Sequence, residues 1–245
     1  VCLVLVLLVP VLHAMTQKHH FRTVCAAHIA EIGKTMFVYA NDNETALPRA
    51  GGPTTTWGQL LNWMGPVRLM AFGLHADGNG GKATINSSFY LLVKYYQMSP
   101  RLFVCPGDKG TSEFDLSKAG VGADVKLADV WDFGPSSVSF QSCSFSYHQP
   151  YGAYALSTAS DPNMAAADRN PWTWSPAAQA ASRACFLPDL PGYSGGMAET
   201  ARYGNAIAHG NDGQNVLFVD GRVTFETRSY YYNATKASSD IRLCL

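Results

Sequence analysis

The first forty residues constrain this chain more than anything after them. An uninterrupted apolar run from Val1 to Leu12 leads, without a turn signal, into an amphipathic pattern that ends near Ala40. Phe21, Val24, Cys25, His28, Ile29, Ile32, Met36, Phe37, Tyr39 and Ala40 fall on one helical stripe. Thr16, Gln17, Lys18, Arg22, Thr23, Glu31 and Lys34 occupy the rest of the surface. The spacing predicts one helix over 1–40. It is either continuous or kinked at Pro10, where a backbone hydrogen bond is lost. Gly33 is a second weak point, costing up to about 1 kcal/mol relative to alanine.

The run holding Val1, Leu3, Leu5, Leu8, Pro10 and Leu12 carries no charge, but a spanning helix needs roughly 20 apolar residues. A cleavable signal peptide would suit its length. However, His13-Ala14-Met15 is a poor cleavage site, and the helical pattern continues straight through it. Lys18, His19, His20 and Arg22 sit where a helix leaving a bilayer would meet lipid headgroups. A solvated helix face accounts for them equally well.

Residues 41–245, beyond the stem, read as a head large enough for one sizeable domain. With 47% hydrophobic and 15% charged residues and zero formal net charge, the composition indicates neither disorder nor a nucleic-acid-binding surface. Near-neutrality also removes long-range repulsion between copies. No fixed repeat is present. Helices are predicted over 57–64 and 87–97, and strands over 102–104, 138–140, 145–147, 164–167, 215–219 and 222–226. The fold class is therefore α+β, a head built on an antiparallel sheet behind a stem helix. Asp220-Gly221 between the last two strands predicts an exposed two-residue turn. That turn would set Val216, Phe218, Val223 and Phe225 on one face and Leu217, Val219 and Thr224 on the other. Ala50–Pro53, Asp77–Gly81, Pro171–Pro176 and Leu187–Gly196 read as surface loops. Trp172, Trp174, Tyr193 and Tyr230 to Tyr232 lend these regions aromatic surface, suited to an interface or a core lid.

Several segments share an order and spacing. Pro10-Val11-Leu12 is followed by Val24-Cys25-Ala26-Ala27-His28-Ile29-Ala30-Glu31-Ile32-Gly33-Lys34 and by Tyr39-Ala40-Asn41-Asp42-Asn43. Then come Ser99-Pro100-Arg101-Leu102-Phe103-Val104-Cys105-Pro106-Gly107-Asp108, Phe145-Ser146-Tyr147-His148-Gln149-Pro150-Tyr151 and Ala167-Asp168-Arg169-Asn170-Pro171. His209-Gly210 and Asn215-Val216-Leu217-Phe218-Val219-Asp220-Gly221-Arg222-Val223 close the series. In this arrangement the chain resembles the prepilin-type proteins of planctomycetes and related bacteria, kin to type II secretion pseudopilins and type IV pilins. The resemblance implies a subunit of a pilus-like or pseudopilus filament at the cell surface, anchored in the membrane before assembly. Its partners would be copies of itself and the inner-membrane assembly machinery. Val1, Leu3, Leu5, Leu8, Pro10 and Leu12 would pack against neighbouring copies in a central bundle. The family's basic leader, processing site and following Glu are not visible here. The resemblance therefore implies that the apolar stretch extends upstream by roughly a dozen residues, to spanning length. The alternative is a membrane-tethered minor pseudopilin or ligand-binding module that forms no filament alone.

Six cysteines, at 2, 25, 105, 143, 185 and 244, are too scattered for a metal knuckle. An exported location permits disulfides, and the resemblance places Cys25 and Cys105 together where stem meets head. Cys143, Cys185 and Cys244 leave three pairings open. Asn41–Glu44, Asp77–Asn79 and Asn211-Asp212 are candidate calcium loops without regular ligand spacing, and turn chemistry explains them equally. Sequons begin at Asn43, Asn86 and Asn233. No nucleophile motif or phosphate-binding glycine loop is present, so no catalytic residue or cofactor is expected. His209 stands one residue further from Asp220-Gly221 than in the family pattern and is given no binding role.

Overall fold

The computed structural model describes residues 2–152, 155–159, 164–169, 205–227, 230–231 and 243–244. Side chains are described except at 2–15, 230–231 and 243–244. Helix α1 spans Cys2–Asp42 without interruption at Pro10. At 41 residues it is about 60 Å long. Strand β1 (Thr56–Trp57) pairs in parallel with β2 (Lys82–Ala83), and the short helix α2 (Arg68–Phe72) lies between them in sequence. Helix α3 (Ile85–Tyr96) comes next. The central sheet is antiparallel, in the order β3 (Phe145–Tyr147), β4 (Met164–Asp168), β5 (Gln214–Phe218), β6 (Val223–Glu226). Among the described residues a two-residue pair, β7 (Tyr230–Tyr231) with β8 (Leu243–Cys244), follows the central sheet. The expected α+β class with an N-terminal helix and an antiparallel sheet is present.

Cys25, Ile29, Ile32, Met36 and Ala40 form the buried stripe of α1 and belong to the same core as the head. The helix crosses β5 closely enough that a Cβ on Gly33 would stand 2.7 Å from a methyl of Leu217. The residue that weakens the isolated helix is thus what lets the helix seat on the sheet. On the other side of the core, α3 buries Phe89, Leu92 and Val93. Phe89 stacks at 4.8 Å on Tyr147, and Phe103 meets Phe133 at 5.0 Å. The Thr84 hydroxyl caps α3 by accepting from Ser87 N, so this helix begins earlier than its apolar spacing indicated.

Five expectations are corrected, the last of them at the final hairpin. No helix forms over 57–64. Trp57 is in β1, Gly58 N donates to Ala83 O at 3.0 Å, and the helical turn comes later, after Pro66. The strands expected at 102–104 and 138–140 are instead 3-10 turns, Pro100–Phe103 and Ser139–Ser142. Val104 O is taken by the His28 ring nitrogen Nδ1 at 3.1 Å, which leaves this segment against α1 and out of a ladder. Ala50 to Gly52 are buried and not a surface loop; Ala50 N donates to Ser88 Oγ at 3.1 Å.

The final hairpin has a three-residue loop. Gly221 N donates to Phe218 O and Phe218 N donates to Arg222 O, with Gly221 at φ 84°. This is a type I turn closed by a left-handed glycine bulge. Leu217 therefore pairs with Val223, and Asn215 with Phe225. A one-residue change of register reverses faces. Val223 and Phe225 join Leu217 and Asn215 toward α1, whereas Val216 and Phe218 lie with Met164 and Ala167 in a second buried cluster. Among the described residues no helix is long and apolar enough to cross a membrane. The expectations for 171–176, 187–196, Cys185, Tyr232 and Asn233 lie outside the described residues.

Candidate functional site at the stem–head junction

Four elements converge where α1 meets the end of the sheet. α1 carries Cys25 on its buried stripe, and Cys105 comes just after the turn at Pro100–Phe103. The two are joined in a disulfide with Cα atoms 5.4 Å apart, at a sequence separation of 80. This is the pairing that the resemblance implied. Asp168 ends β4, on the α1-facing side, and lies beside Asn215 of β5. His209 ends a 3-10 turn, Ile207–His209, held by Gly210 in the left-handed conformation.

Asp168 and His209 are each 1% exposed. A buried polar group requires partners, and the Asp168 Oδ2 atom accepts three hydrogen bonds. They come from His209 Nε2 at 2.8 Å, Asn215 N at 2.6 Å and Asn215 Nδ2 at 2.8 Å. Asn215 Nδ2 also reaches Arg22 O on α1 at 3.3 Å, which ties the node to the stem. Asp168 Oδ1 and His209 Nδ1 are buried without a hydrogen-bond partner. The His209 ring meets the Phe225 edge at 6.0 Å, and the Arg22 guanidinium lies 3.8 Å over the Phe225 ring. Arg22 and Lys18 both face Asp212, at 3.5 and 3.6 Å. The bulged register puts Phe225 within this assembly; the two-residue turn would have turned it to the opposite face.

A second polar network adjoins the first. Arg169 Nη2 donates to Asp108 Oδ2 at 2.6 Å and to Thr111 Oγ1 at 2.7 Å, and Nη1 donates to Phe140 O at 2.6 Å. Asp132 is fully buried, accepting from the Thr84 hydroxyl at 2.6 Å and Phe133 N at 2.8 Å, and burial raises its carboxyl to about 7. Cys143 is free and buried, donating to Phe145 O; burial pushes its thiol up to about 12, which makes it a poor nucleophile.

Sequence reasoning placed Asp168, Arg169 and His209 within motifs but gave them no role. The available signal was a carboxylate closing a strand of small buried residues and a histidine one turn before another buried strand. Of the other candidate residues, Leu3, Leu5, Leu8, Pro10 and Leu12 lie on the α1 backbone, and Val1 is outside the described residues. Asp220 and Gly221 are at the exposed turn. The sequon amides are engaged within the fold, Asn43 Nδ2 with Tyr39 O at 2.7 Å and Asn86 Nδ2 with Ser139 Oγ at 3.3 Å.

In the candidate calcium loops, Asp42 accepts from the Tyr96 hydroxyl. Asp77 folds onto Asn79, whose amides hold its carboxyl below the usual range. Asp212 faces the two stem cations. Among the described residues, the metal-ligating side chains that converge are Cys25, Cys105, Asp168 and His209, whose ligand atoms all lie within 4.8 Å of one another. An open hollow of about 460 Å³ lined by Glu113, Phe114, Asp115, Leu116, Lys118 and Leu127 shares no residue with this cluster. No family profile, curated protein or solved structure matches this chain.

Proposed function

We propose that the chain is a structural subunit of an extracellular pilus-like or pseudopilus filament, assembled through its N-terminal helices. The observation that carries this reading is the asymmetry of α1. Its amphipathic part is tied to the head by the disulfide at Cys25 and by Lys18 and Arg22 against Asp212, while the helical backbone continues to Cys2 through an uncharged apolar sequence. A rod locked to a head at one end, and apolar in sequence at the other, suits stems that exchange lipid for one another during assembly. Near-zero net charge lets such copies approach. The α+β head would form the outer shell.

The test is negative-stain microscopy of sheared surface material with its protein identified, comparing the natural chain with Leu5→Asp and Leu8→Asp. Both variants are expected to leave the head folded and to abolish fibres. Fibres of normal number and length from either variant would refute the reading. A folded, membrane-held protein that forms no fibres even with the natural sequence would favour a tethered secretion module.

A further inference from the structure

We infer that in the thiol form Cys25, Cys105, His209 and Asp168 make a tetrahedral site for a thiophilic divalent cation, zinc above all, and that forming the disulfide abolishes it. The inference is independent of the filament reading. It rests on three observations.

The first is geometric. Tetrahedral zinc, with bonds of about 2.3 Å to sulfur and 2.0–2.2 Å to nitrogen or oxygen, sets neighbouring ligand atoms roughly 3.3–3.8 Å apart. One ligand atom from each of these four residues already lies within 4.8 Å of all the others, so side-chain adjustment alone closes the shell. Opening the S–S bond moves the sulfurs apart, in the direction the metal requires.

The second is rigidity. The four side chains come from α1, the segment after the Pro100–Phe103 turn, the end of β4 and the 3-10 turn before β5. Each is fixed by packing that does not involve the metal, as a preorganised site demands. All four are buried.

The third is unused polar capacity. Asp168 Oδ1 and His209 Nδ1 are buried without hydrogen-bond partners, an expensive arrangement in a folded chain. A cation held by Oδ1 would compensate that cost at Asp168, and because the His209 nitrogen facing Asp168 is Nε2, a cation shared by the two residues would take Nε2 in place of the present hydrogen bond. Asn215, donating twice to Asp168, would orient the carboxylate from outside the shell, the role that second-sphere partners play at metal centres.

The disulfide form offers no thiolate, so the two locks exclude each other. Conversion balances as thiol–disulfide exchange with a partner disulfide. One cysteine thiolate attacks a partner sulfur, forming a mixed disulfide and expelling one partner thiolate. The second cysteine thiolate then attacks the mixed disulfide, forming Cys25–Cys105 and expelling the other. Two electrons pass to the partner, its thiolates take protons from solvent, and the cation leaves. Stem and head would be joined by metal in a reducing compartment and by the disulfide in an oxidising one.

The test uses the full chain carrying Cys2→Ser, Cys143→Ser, Cys185→Ser and Cys244→Ser, so that the only thiols are those at the junction. It is produced in a reducing cytoplasm and kept reduced with a phosphine. Cobalt(II) is the spectroscopic probe, zinc the competitor, and circular dichroism reports folding. Expected are one cobalt per chain, a thiolate-to-cobalt charge-transfer band with tetrahedral visible bands, displacement by zinc, and loss of all of these on oxidation. His209→Ala should remove the tetrahedral spectrum, and Asn215→Ala should weaken binding about 10–100-fold. A reduced chain that is unfolded alone but folds with cobalt and shows these bands also supports the site. Two titrated thiols without a tetrahedral spectrum, whether the chain is folded or not, would overturn the inference. So would an identical spectrum from the oxidised chain.

Discussion

Helix α1 is held on one side by direction and on the other by volume. At the junction, the node of Asp168, His209 and Asn215, through the Asn215 bond to Arg22 O, and the disulfide hold it through bonds whose angles leave little room for change. Toward α3 it joins a core of Phe89, Tyr90, Leu92, Phe103 and Phe133, where rings meet edge-on or tilted at about 5 to 6 Å. Apolar packing tolerates a change of shape when volume is kept. A buried polar node does not, because removing one member strands the others in a medium that cannot solvate them. The difference separates what makes this core stable from what makes the stem's seating unique.

The largest expected effect is at the node. Asp168→Ala leaves His209 and two Asn215 donors without their acceptor, at about 1–3 kcal/mol for each buried unsatisfied group, and should cost about 3–5 kcal/mol in all. Urea denaturation of the oxidised chain measures it, and a loss below about 1 kcal/mol, the scale of one ordinary hydrogen bond, would erase the contrast between the two regions. Cys105→Ala opens the loop between stem and head and should cost about 2–4 kcal/mol. The same loss should appear when the chain carrying Cys2→Ser, Cys143→Ser, Cys185→Ser and Cys244→Ser is reduced without metal present.

Asp132 gives the comparison a pH axis, because it lies under the α3 cap and not at the junction. Its carboxyl is raised to about 7 when folded, against an ordinary value of 3.8. The folded chain therefore keeps a proton that the unfolded chain has lost across that window. Its stabilising contribution is complete below about 4, falls as pH rises toward 7, and is level above. Urea midpoints at pH 5, 6, 7 and 8 should show that decline in the natural chain and not in Asp132→Asn. A slope unchanged by the substitution assigns it to another group.

Gly221→Val forces a β-branched residue to φ 84° and places its Cβ 3.2 Å from the Phe37 ring. It should cost about 1–3 kcal/mol while leaving thermal unfolding cooperative. Leu92→Met, fully buried in the apolar region, should cost less than about 1.5 kcal/mol. If that substitution proved as damaging as Asp168→Ala, volume would be as strict a constraint here as hydrogen-bond direction.

The sequence by itself determined the parts governed by near neighbours. The spacing of Cys25, Ile29, Ile32, Met36 and Ala40 is enough to specify α1 and its buried stripe. Apolar residues on one side of 87–97 specify α3, and runs such as Val216-Leu217-Phe218 specify strands. Resemblance to a family, and not spacing, paired Cys25 with Cys105.

Tertiary structure decided the rest. Leu102 to Val104 looks like a strand, but with its carbonyl taken by His28 of α1 it becomes a turn. Asp220-Gly221 suits a two-residue turn and a glycine bulge alike. Only the bulge puts Leu217, Val223 and Phe225 toward the stem, so the choice of register belongs to the packed sheet. The junction was the least legible feature. Asp168 is 41 residues from His209 and 47 from Asn215, and only the pairing of β4 with β5 brings them together. Hydrogen-bond direction depends on that pairing, and local sequence carries no record of it.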